Sequence, residues 1–547
     1  MKKYVRYLLV LLMCGSLTGV KAQKTFQVDG INYYLDGSEA RVSDNRDYSG
    51  SKIVIPNSVL YDGKNYPVTS IADSAFYSNW SLIEVTIPNS VTTIGERAFT
   101  SCSGLTEVTI PNSVMTIGSY AFTGCRGLKT VTIGNSVMTI GSRAFTSCTG
   151  LTEVIWNARN AKYYAVSFFD SPFSNCNRLT DFVFGEEVEH IPALLCCELA
   201  SLKNLVIGNS VTTIGKFAFT SCTGLQKVTI GNSVTAIGGG AFEGCSGLTT
   251  VTIGNSVTTI GGRAFTSCSG LTEVTIPNSV TTIGDSAFEG CTGLITVTIP
   301  NSVTEIGACA FWHCTSLTEV SIPNSVTNIG SSAFEDCTEL TEVSIPNSVT
   351  NIGSSAFEDC TELTEIAIPN AVTTIEGYAF TRCTGLKTVT IGNSVTTIKS
   401  FTFSWCTQME SVTIGEKVES IEDFAFSHCD NLTAVISKAM TPPQIWAMTF
   451  DDYAMTLYVP AGCKPKYAEA KYWRNFTDIR ETGVTLHTVT ANATDETMGY
   501  VIGAGEYPQG STATLVAVPF GQNYFVRWND GNTDNPRTIT VTGDMTF

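Results

Sequence analysis

Apolar and polar residues follow a pattern that repeats every 23 residues from about residue 69 to residue 437. In one copy, Leu105, Val108 and Ile110 give an L-x-x-V-x-I strand pattern, and Val114 begins a second short apolar segment after a Pro-Asn turn. A glycine corner and an inward Ala-Phe pair complete the copy. One copy cannot enclose a core, whereas stacked copies can, because each strand pairs with the next at ~4.8 Å. The pattern therefore predicts a mainly β solenoid with equivalent side chains stacked in register.

The phenylalanine of the Ala-Phe pair marks each turn. It or its equivalent recurs fifteen times, and Cys196 takes its place in one further copy, so the sequence predicts about sixteen turns of 23 residues. Two consecutive copies, Glu319–Thr341 and Glu342–Thr364, are identical at all 23 positions. This duplication indicates that the number of turns can change, which a binding surface or a spacer tolerates better than an active site. The marking residues are Phe76, Phe99, Phe122, Phe145, Phe173, Phe219, Phe242, Phe265, Phe288, Phe311, Phe334, Phe357, Phe380, Phe403 and Phe426.

This repeat resembles the BspA-type leucine-rich repeat (leucine-rich repeat 5 class) of bacterial surface proteins. The segments 155–158 and 171–173 are similar to a variant repeat of that family, and five extra residues between Cys148 and Cys176 are expected to bulge outward. The resemblance implies a right-handed leucine-rich repeat solenoid with a β cap at each end. Caps are needed because a bare end turn would expose apolar side chains and unpaired strand edges.

The last segment has a different pattern. Gly499-Tyr500-Val501 and Trp528-Asn-Asp-Gly531 resemble a divergent internalin-type B-repeat, which implies a small β domain. That repeat would still be completing a strand at Phe547, so the true terminus stays open. The expected organisation is a signal peptide at 1–22, an N-terminal β cap at 23–68, a leucine-rich repeat solenoid at 69–437, a C-terminal cap at 438–484 and a small β domain at 485–547.

The N-terminus indicates export. A basic start and an apolar stretch are followed by Val20 and Ala22, small residues at the two positions that define cleavage before Gln23. Lipid attachment at Cys14 is an open alternative, which the bulky Met13 disfavours. No later stretch has the ~18 uninterrupted apolar residues of a membrane-spanning helix. The sequence thus predicts an exported protein that is secreted or attached to the cell surface or outer membrane.

The net negative charge of the chain limits the kinds of molecule that it can bind. The net charge is −17 and no basic run occurs, so the chain repels phosphate backbones and a nucleic-acid partner is not expected. Hydrophobic residues make up 43% and charged residues only 15%, so the chain can bury a large core.

Fourteen of the nineteen cysteines occupy one register of the repeat. Asn79 and Leu199 occupy the same register in two other turns, which favours a reduced, buried structural ladder whose side chains bond loop backbone. Adjacent turns lie within disulfide reach, but parallel side chains give poor bridging geometry. The redox states of Cys196, Cys197, Cys309 and Cys463 stay open. The ladder comprises Cys102, Cys125, Cys148, Cys176, Cys222, Cys245, Cys268, Cys291, Cys314, Cys337, Cys360, Cys383, Cys406 and Cys429.

Metal and catalytic sites are not predicted. The pairs His313-Cys314 and His428-Cys429 lie five repeats apart, which separates them by roughly 24 Å, and two ligands are too few for a structural zinc. The chain has four histidines and neither an H-E-x-x-H nor a G-x-S-x-G motif. We expect no cofactor and no enzymatic activity, with a carbohydrate-active enzyme as the remote alternative.

Polar strand positions between inward apolar residues are the candidate binding face. Threonine and serine there should form a hydroxyl ladder beside an acidic stripe, although a merely solvated β face has the same pattern. Trp312 and Trp405 interrupt the repeat and are either exposed anchors or core residues. The candidate residues are Glu107, Thr109, Glu153, Thr252, Glu273, Thr275, Thr298, Glu319, Ser321, Glu342, Ser344 and Glu365.

The family resemblance implies an exported surface protein whose extended repeat face adheres to host or microbial macromolecules. The expected partner is an extracellular protein or glycan, and the protein is expected to be monomeric. A structural spacer that displays the C-terminal domain is the alternative.

Overall fold

The computed structural model describes residues 24–162, 167–482, 486–508 and 511–547. The predicted signal peptide, including the alternative lipidation site at Cys14, lies outside the described residues.

The chain is mainly β and divides into two compact units, Met1–Leu179 and Thr180–Phe547, which are treated separately below. Helices within the described ranges are the six-residue α-helix Lys464–Glu469 and two 3-10 turns, Phe168–Asp170 and Trp473–Asn475. None of these described helices has the length and apolar character needed to cross a membrane.

The first unit begins with an antiparallel meander, in which Thr25–Val28 pairs with Ile31–Asp36, and Ile31–Asp36 pairs with Glu39–Val42. Lys64–Ile71 pairs antiparallel with Ser58–Tyr61 and parallel with Glu39–Val42, and its end begins a parallel ladder. The longer strands of the turns that follow are Lys52–Val54, Glu84–Thr86, Glu107–Thr109, Thr130–Ile133 and Glu153–Trp156. The two-residue strands are Thr93–Ile94, Thr116–Ile117 and Thr139–Ile140.

In the second unit, nearly every turn contributes one longer strand and one two-residue strand, which pair in parallel with their equivalents in the adjacent turns. Val251 pairs with Val274, and Ile260 pairs with Ile283, in each case the equivalent residue of the next repeat. The longer strands are Asp181–Phe184, Asn204–Val206, Lys227–Thr229, Thr250–Thr252, Glu273–Thr275, Thr296–Thr298, Glu319–Ser321, Glu342–Ser344, Glu365–Ala367, Thr388–Thr390, Ser411–Ile414, Ala434–Ser437, Thr456–Pro460 and Asp478–Thr482. The two-residue strands are His190–Ile191, Thr213–Ile214, Ala236–Ile237, Thr259–Ile260, Thr282–Ile283, Glu305–Ile306, Asn328–Ile329, Asn351–Ile352, Thr374–Ile375, Thr397–Ile398, Ser420–Ile421 and Gln444–Ile445.

Stacking in register builds continuous columns in the core. The rings of Phe242, Phe265 and Phe288 are fully buried, and successive centroids lie 5.4 Å apart with nearly parallel planes. Complete burial of a side chain of this size contributes about 1.5–3 kcal/mol. The repeated columns therefore supply much of the energy that holds each turn on the next.

The structure has about eighteen turns among the described residues, slightly more than the sixteen predicted. The phenylalanine count missed strands from the segments expected to form caps. Thr456–Pro460 and Asp478–Thr482 continue the parallel ladder of the second unit beyond the last counted phenylalanine. Lys52–Val54 joins the ladder of the first unit, in the turn that Phe76 marks. Phe450 also extends the aromatic column, because it stacks on Phe426 at 5.2 Å although their sequence spacing exceeds the regular repeat by one position.

A small β structure with its own core follows the repeats. We call its described residues, 486–508 and 511–547, the C-terminal domain. Leu515, Trp528 and Val541 belong to its buried cluster. Its strands are Leu486–Thr490, Gly499–Ile502, Gly505–Pro508, Thr512–Pro519, Arg537–Thr540 and Met545–Thr546.

Candidate functional site

The outward side chains of the longer strands form one mostly polar surface in each unit, and we call this surface the strand face. Val274 points into the core and is 3% exposed, whereas its neighbours Glu273 and Thr275 point outward and are exposed. Thr275 is in register with Thr252 and Thr298 of the adjacent turns. Hydroxyl groups therefore stack in a column along the strand face of the second unit, with a glutamate beside them in several turns.

The predicted face residues differ in exposure. In the first unit, Glu107 and Thr109 are exposed and Glu153 is half-buried. In the second unit, Ser321 and Glu365 are half-buried. The exposed residues of the second unit are Thr252, Glu273, Thr275, Thr298, Glu319 and Glu342.

The expectation that Ser344 is exposed was wrong. Ser344 is only 4% exposed, because the hydroxyl of Tyr500 in the C-terminal domain donates a hydrogen bond to its Oγ. The corresponding serine of the preceding, identical repeat, Ser321, keeps part of its surface exposed. The C-terminal domain therefore covers one section of the strand face.

Sequence reasoning missed the residues that make this cover, namely Tyr500, Tyr507 and Glu506. Burial raises the pKa of Tyr507, and the nearby carboxylate of Glu365 raises it further. Burial lowers the pKa of Lys438, whereas the carboxylates of Glu416 and Glu506 act in the opposite direction. The repeat pattern carries no signal for these contacts, since the partners are far apart in sequence.

The glutamates of the covered section repel one another. Glu319 and Glu342 are register partners on adjacent strands. Although Glu342 keeps an exposed surface, packing around its carboxyl group partly withdraws that group from water and raises its pKa, and the carboxylates of Glu319 and Glu365 raise it further. Burial also raises the pKa of Glu365. The carboxyl groups of Glu342 and Glu365 therefore bind protons more tightly than a glutamate in water does.

The fourteen ladder cysteines point into the interior, where thirteen are buried and Cys429 is half-buried. Each Sγ donates a hydrogen bond to a carbonyl of the preceding turn, as Cys268 does to Phe242 at 3.2 Å. Asn79, in the same register, uses Nδ2 to donate to the Tyr48 carbonyl at 2.8 Å. Cysteine and asparagine thus both supply a buried donor for loop backbone in this register, whereas Leu199 fills the same buried position without a donor.

The four cysteines whose redox state stayed open have reduced thiols in the structure. Cys196, Cys197 and Cys463 are buried, and Cys309 is half-buried. Cys196 stands in the phenylalanine column, and its carbonyl accepts the hydrogen bond of Cys222.

Two tryptophans that interrupt the repeat are exposed. Trp312 is 37% exposed and Trp405 is 47% exposed, so neither belongs to the core. Trp405 stacks on His428 with ring centroids 4.0 Å apart. Both tryptophans are available as aromatic anchors for a partner.

The histidine and the cysteine of the pair His313-Cys314 have different surroundings. Cys314 is buried and bonds the Phe288 carbonyl, whereas His313 is exposed and pairs with Asp336. Within the described residues, one group of three potential ligands lies within 4.8 Å, formed by His428, Asp430 and Asp451. All three are exposed, and such acidic clusters are common on protein surfaces without a metal.

Comparisons with known proteins place the repeat in a family. A family model described as the BspA-type leucine-rich repeat region, in six copies, matches residues 69–195, 193–318 and 305–433. A search of curated proteins found no match.

Three of the similar solved structures are bacterial proteins. A leucine-rich repeat protein from Bacteroides ovatus is 26% identical, with a TM-score of 0.45 over 75% of this chain and 99% of that one. A leucine-rich cell surface protein from Faecalibacterium prausnitzii is 25% identical, with a TM-score of 0.36 over 72% and 95%. The pneumococcal vaccine antigen PcpA is 18% identical, with a TM-score of 0.36 over 84% and 98%.

Proposed function

The chain belongs to the BspA-type leucine-rich repeat family, and from that premise we propose that it is an exported, non-enzymatic surface protein whose strand face binds an extracellular protein or glycan. Family membership supports placement outside the cytoplasm, together with the basic and apolar N-terminus ending at Ala22.

One observation carries the proposal: an uninterrupted section of exposed polar side chains on rigid strands. From Thr229 through Thr298, the outward strand positions of four successive turns are all exposed. Parallel strands hold these groups at ~4.8 Å intervals, so little side-chain freedom is lost when a partner binds. Affinity would be the sum of modest contacts from several turns.

The proposed lack of catalysis rests on the equivalence of these positions. Thr252, Thr275 and Thr298 occupy matching surroundings in successive turns. A catalytic nucleophile instead needs a base and an orienting group at one unique place. Release of sugars from any glycan by the purified protein would contradict this part of the proposal.

A binding screen tests the function. The protein starting at residue 23 would be applied to immobilised mucins, matrix proteins and glycans, and we expect saturable binding to at least one. Thr252→Arg should weaken that binding, whereas the matched control Ser256→Arg, at an exposed turn position of the same repeat, should not. A complete lack of saturable binding would contradict the proposal.

A spacer role is the second candidate, favoured by the identical repeats Glu319–Thr341 and Glu342–Thr364. Deletion of one copy shortens the ladder by one turn and removes no unique sequence. If the protein is a spacer, this deletion should change function in proportion to length, while Thr252→Arg should have no effect.

A further inference from the structure

The C-terminal domain touches the strand face through the strand Gly499–Ile502. Tyr500, in the strand Gly499–Ile502, donates its hydroxyl hydrogen to Ser344. Burial raises the pKa of Tyr500 to about 12, while the bond to Ser344 lowers it and the carboxylate of Glu342 raises it. The phenol is therefore half-buried and lies beside two residues of one turn.

The contact extends along the ladder from this turn. Tyr507 lies near Glu365 of the next turn, and Glu506 lies near Lys438 further along. One sheet of longer strands ends at Glu342–Ser344 and the next begins at Glu365–Ala367. The domain thus lies over the junction between two sheets of the second unit.

The duplicated repeats provide an internal comparison. Ser321 and Ser344 occupy the same position of two identical repeats, so the repeat sequence cannot cause a difference in their exposure. Ser344 is nonetheless buried, while Ser321 is half-buried and Thr298 of the turn before is exposed. The difference comes from Tyr500 and the domain that carries it.

We propose that the C-terminal domain is an intramolecular cover, which occupies the turns around Ser344 and Glu365 and competes with external partners for the strand face. This role rests on the proposed binding function, because a cover matters only if the face binds something. A partner that needs the covered turns must displace the domain, whereas Thr229 to Thr298 stay open.

Hydroxyl-radical footprinting of the full chain tests the docking without any partner. Tyr524, which is 80% exposed in the same domain, is the internal reference. We expect Tyr500 to be oxidised several-fold more slowly than Tyr524. Ser344→Arg should abolish this protection, and Ser321→Arg, the same change in the identical repeat, should leave it.

Three results would overturn the docking. These are oxidation of Tyr500 as fast as that of Tyr524, protection that persists in Ser344→Arg, and equal loss of protection in both arginine variants. The second result would assign the protection to the domain's own packing, such as the contact of Tyr500 with Phe520. The third would place the domain elsewhere on the strand face.

Competition is measured with variants that leave the strand face intact. Tyr500→Asp puts a carboxylate against Glu342 and should release the domain, while Tyr524→Asp is the control. On whichever immobilised mucin, matrix protein or glycan binds the wild type, Tyr500→Asp should bind several-fold more tightly and Tyr524→Asp equally. If Tyr500→Asp and Tyr524→Asp bind the partner with equal affinity, the C-terminal domain does not act as a cover. Binding by none of the proteins would instead contradict the proposed function, while footprinting would still decide whether the domain docks.

Discussion

A buried thiol donates a hydrogen bond to the preceding turn at each position of the cysteine ladder. For Cys268 the acceptor is the Phe242 carbonyl, which has no access to water once the turns stack. A buried carbonyl left without a donor costs about 1–3 kcal/mol. This explains why cysteine and asparagine share the register, since both side chains can donate.

Cys268→Ala should therefore lower the free energy of unfolding by about 1–3 kcal/mol, because it removes the donor to Phe242. Urea unfolding followed by circular dichroism measures the change, and Ser256→Ala, at an exposed turn position, serves as the control. Unfolding of Cys268→Ala at the wild-type urea concentration would show that the hydrogen bond contributes nothing.

Thiol reactivity should follow burial. Burial raises the pKa of Cys245 and of Cys291 to about 12, so both stay protonated and unreactive at neutral pH. Cys309 is half-buried, and we expect a thiol reagent to modify it before any ladder cysteine in the native protein. Peptide mass spectrometry identifies the order, and early modification of Cys268 would argue against a closed core.

At the scale of the turn, backbone spacing decides which glycines are required. A Cβ added to Gly261, at the corner after a two-residue strand, would lie 2.6 Å from the Gly239 nitrogen of the preceding turn. A Cβ added to Gly231 would find its nearest atom 4.0 Å away. The corner glycine is thus needed for close stacking, whereas the turn glycine at 231 is not.

Gly261→Ala should destabilise the protein by about 1–3 kcal/mol, since the added methyl group forces adjacent turns apart. Gly231→Ala is the matched control and should leave the melting temperature nearly unchanged. Thermal unfolding of both variants measures the difference, and equal melting temperatures would contradict the close approach.

The turn is also the scale at which sequence prediction succeeded. The constant repeat period fixes which positions point inward, so Val274 and Phe265 could be placed in the core from the sequence alone. The predicted number of turns was too low because the Ala-Phe pair used to count them is displaced or missing in some turns. Phe450 follows Phe426 at a spacing one position longer than the repeat, and no Ala-Phe pair follows the strand Thr456–Pro460.

At the scale of the whole molecule, repeat sequence cannot predict contacts made by the C-terminal domain. Tyr500 and Ser344 are 156 residues apart, and Ser344 has the same sequence neighbours as Ser321. Only the fold shows which of the two serines is covered. The strand face could therefore be located from the sequence, but not the part of it that is open.

Docking of the C-terminal domain should depend on pH. Glu342 faces Glu319, Glu365 and Tyr500, and burial raises its pKa. An acid whose pKa is higher when docked binds more protons in that state, so docking is strongest below the ordinary pKa of the carboxyl group. It weakens as the pH rises through the interval between the ordinary and the raised value.

Hydroxyl-radical footprinting across mildly acidic to neutral pH measures this dependence through the oxidation of Tyr500 relative to Tyr524. Protection of Tyr500 should decrease as the pH rises. Glu342→Gln removes the titrating carboxylate and should reduce the slope. Protection of Tyr500 that increases with pH would contradict the predicted direction of the pH dependence.

Carboxylate labelling of the bound protein tests most directly whether the strand face is the binding surface. The protein would be treated with a carbodiimide and an amine, alone and saturated with the mucin, matrix protein or glycan that it binds. We predict that Glu273, exposed on the open section, is labelled in the free protein and protected in the complex, while the exposed Glu186 is labelled equally in both. Equal labelling of Glu273 in the free and saturated protein would contradict the account.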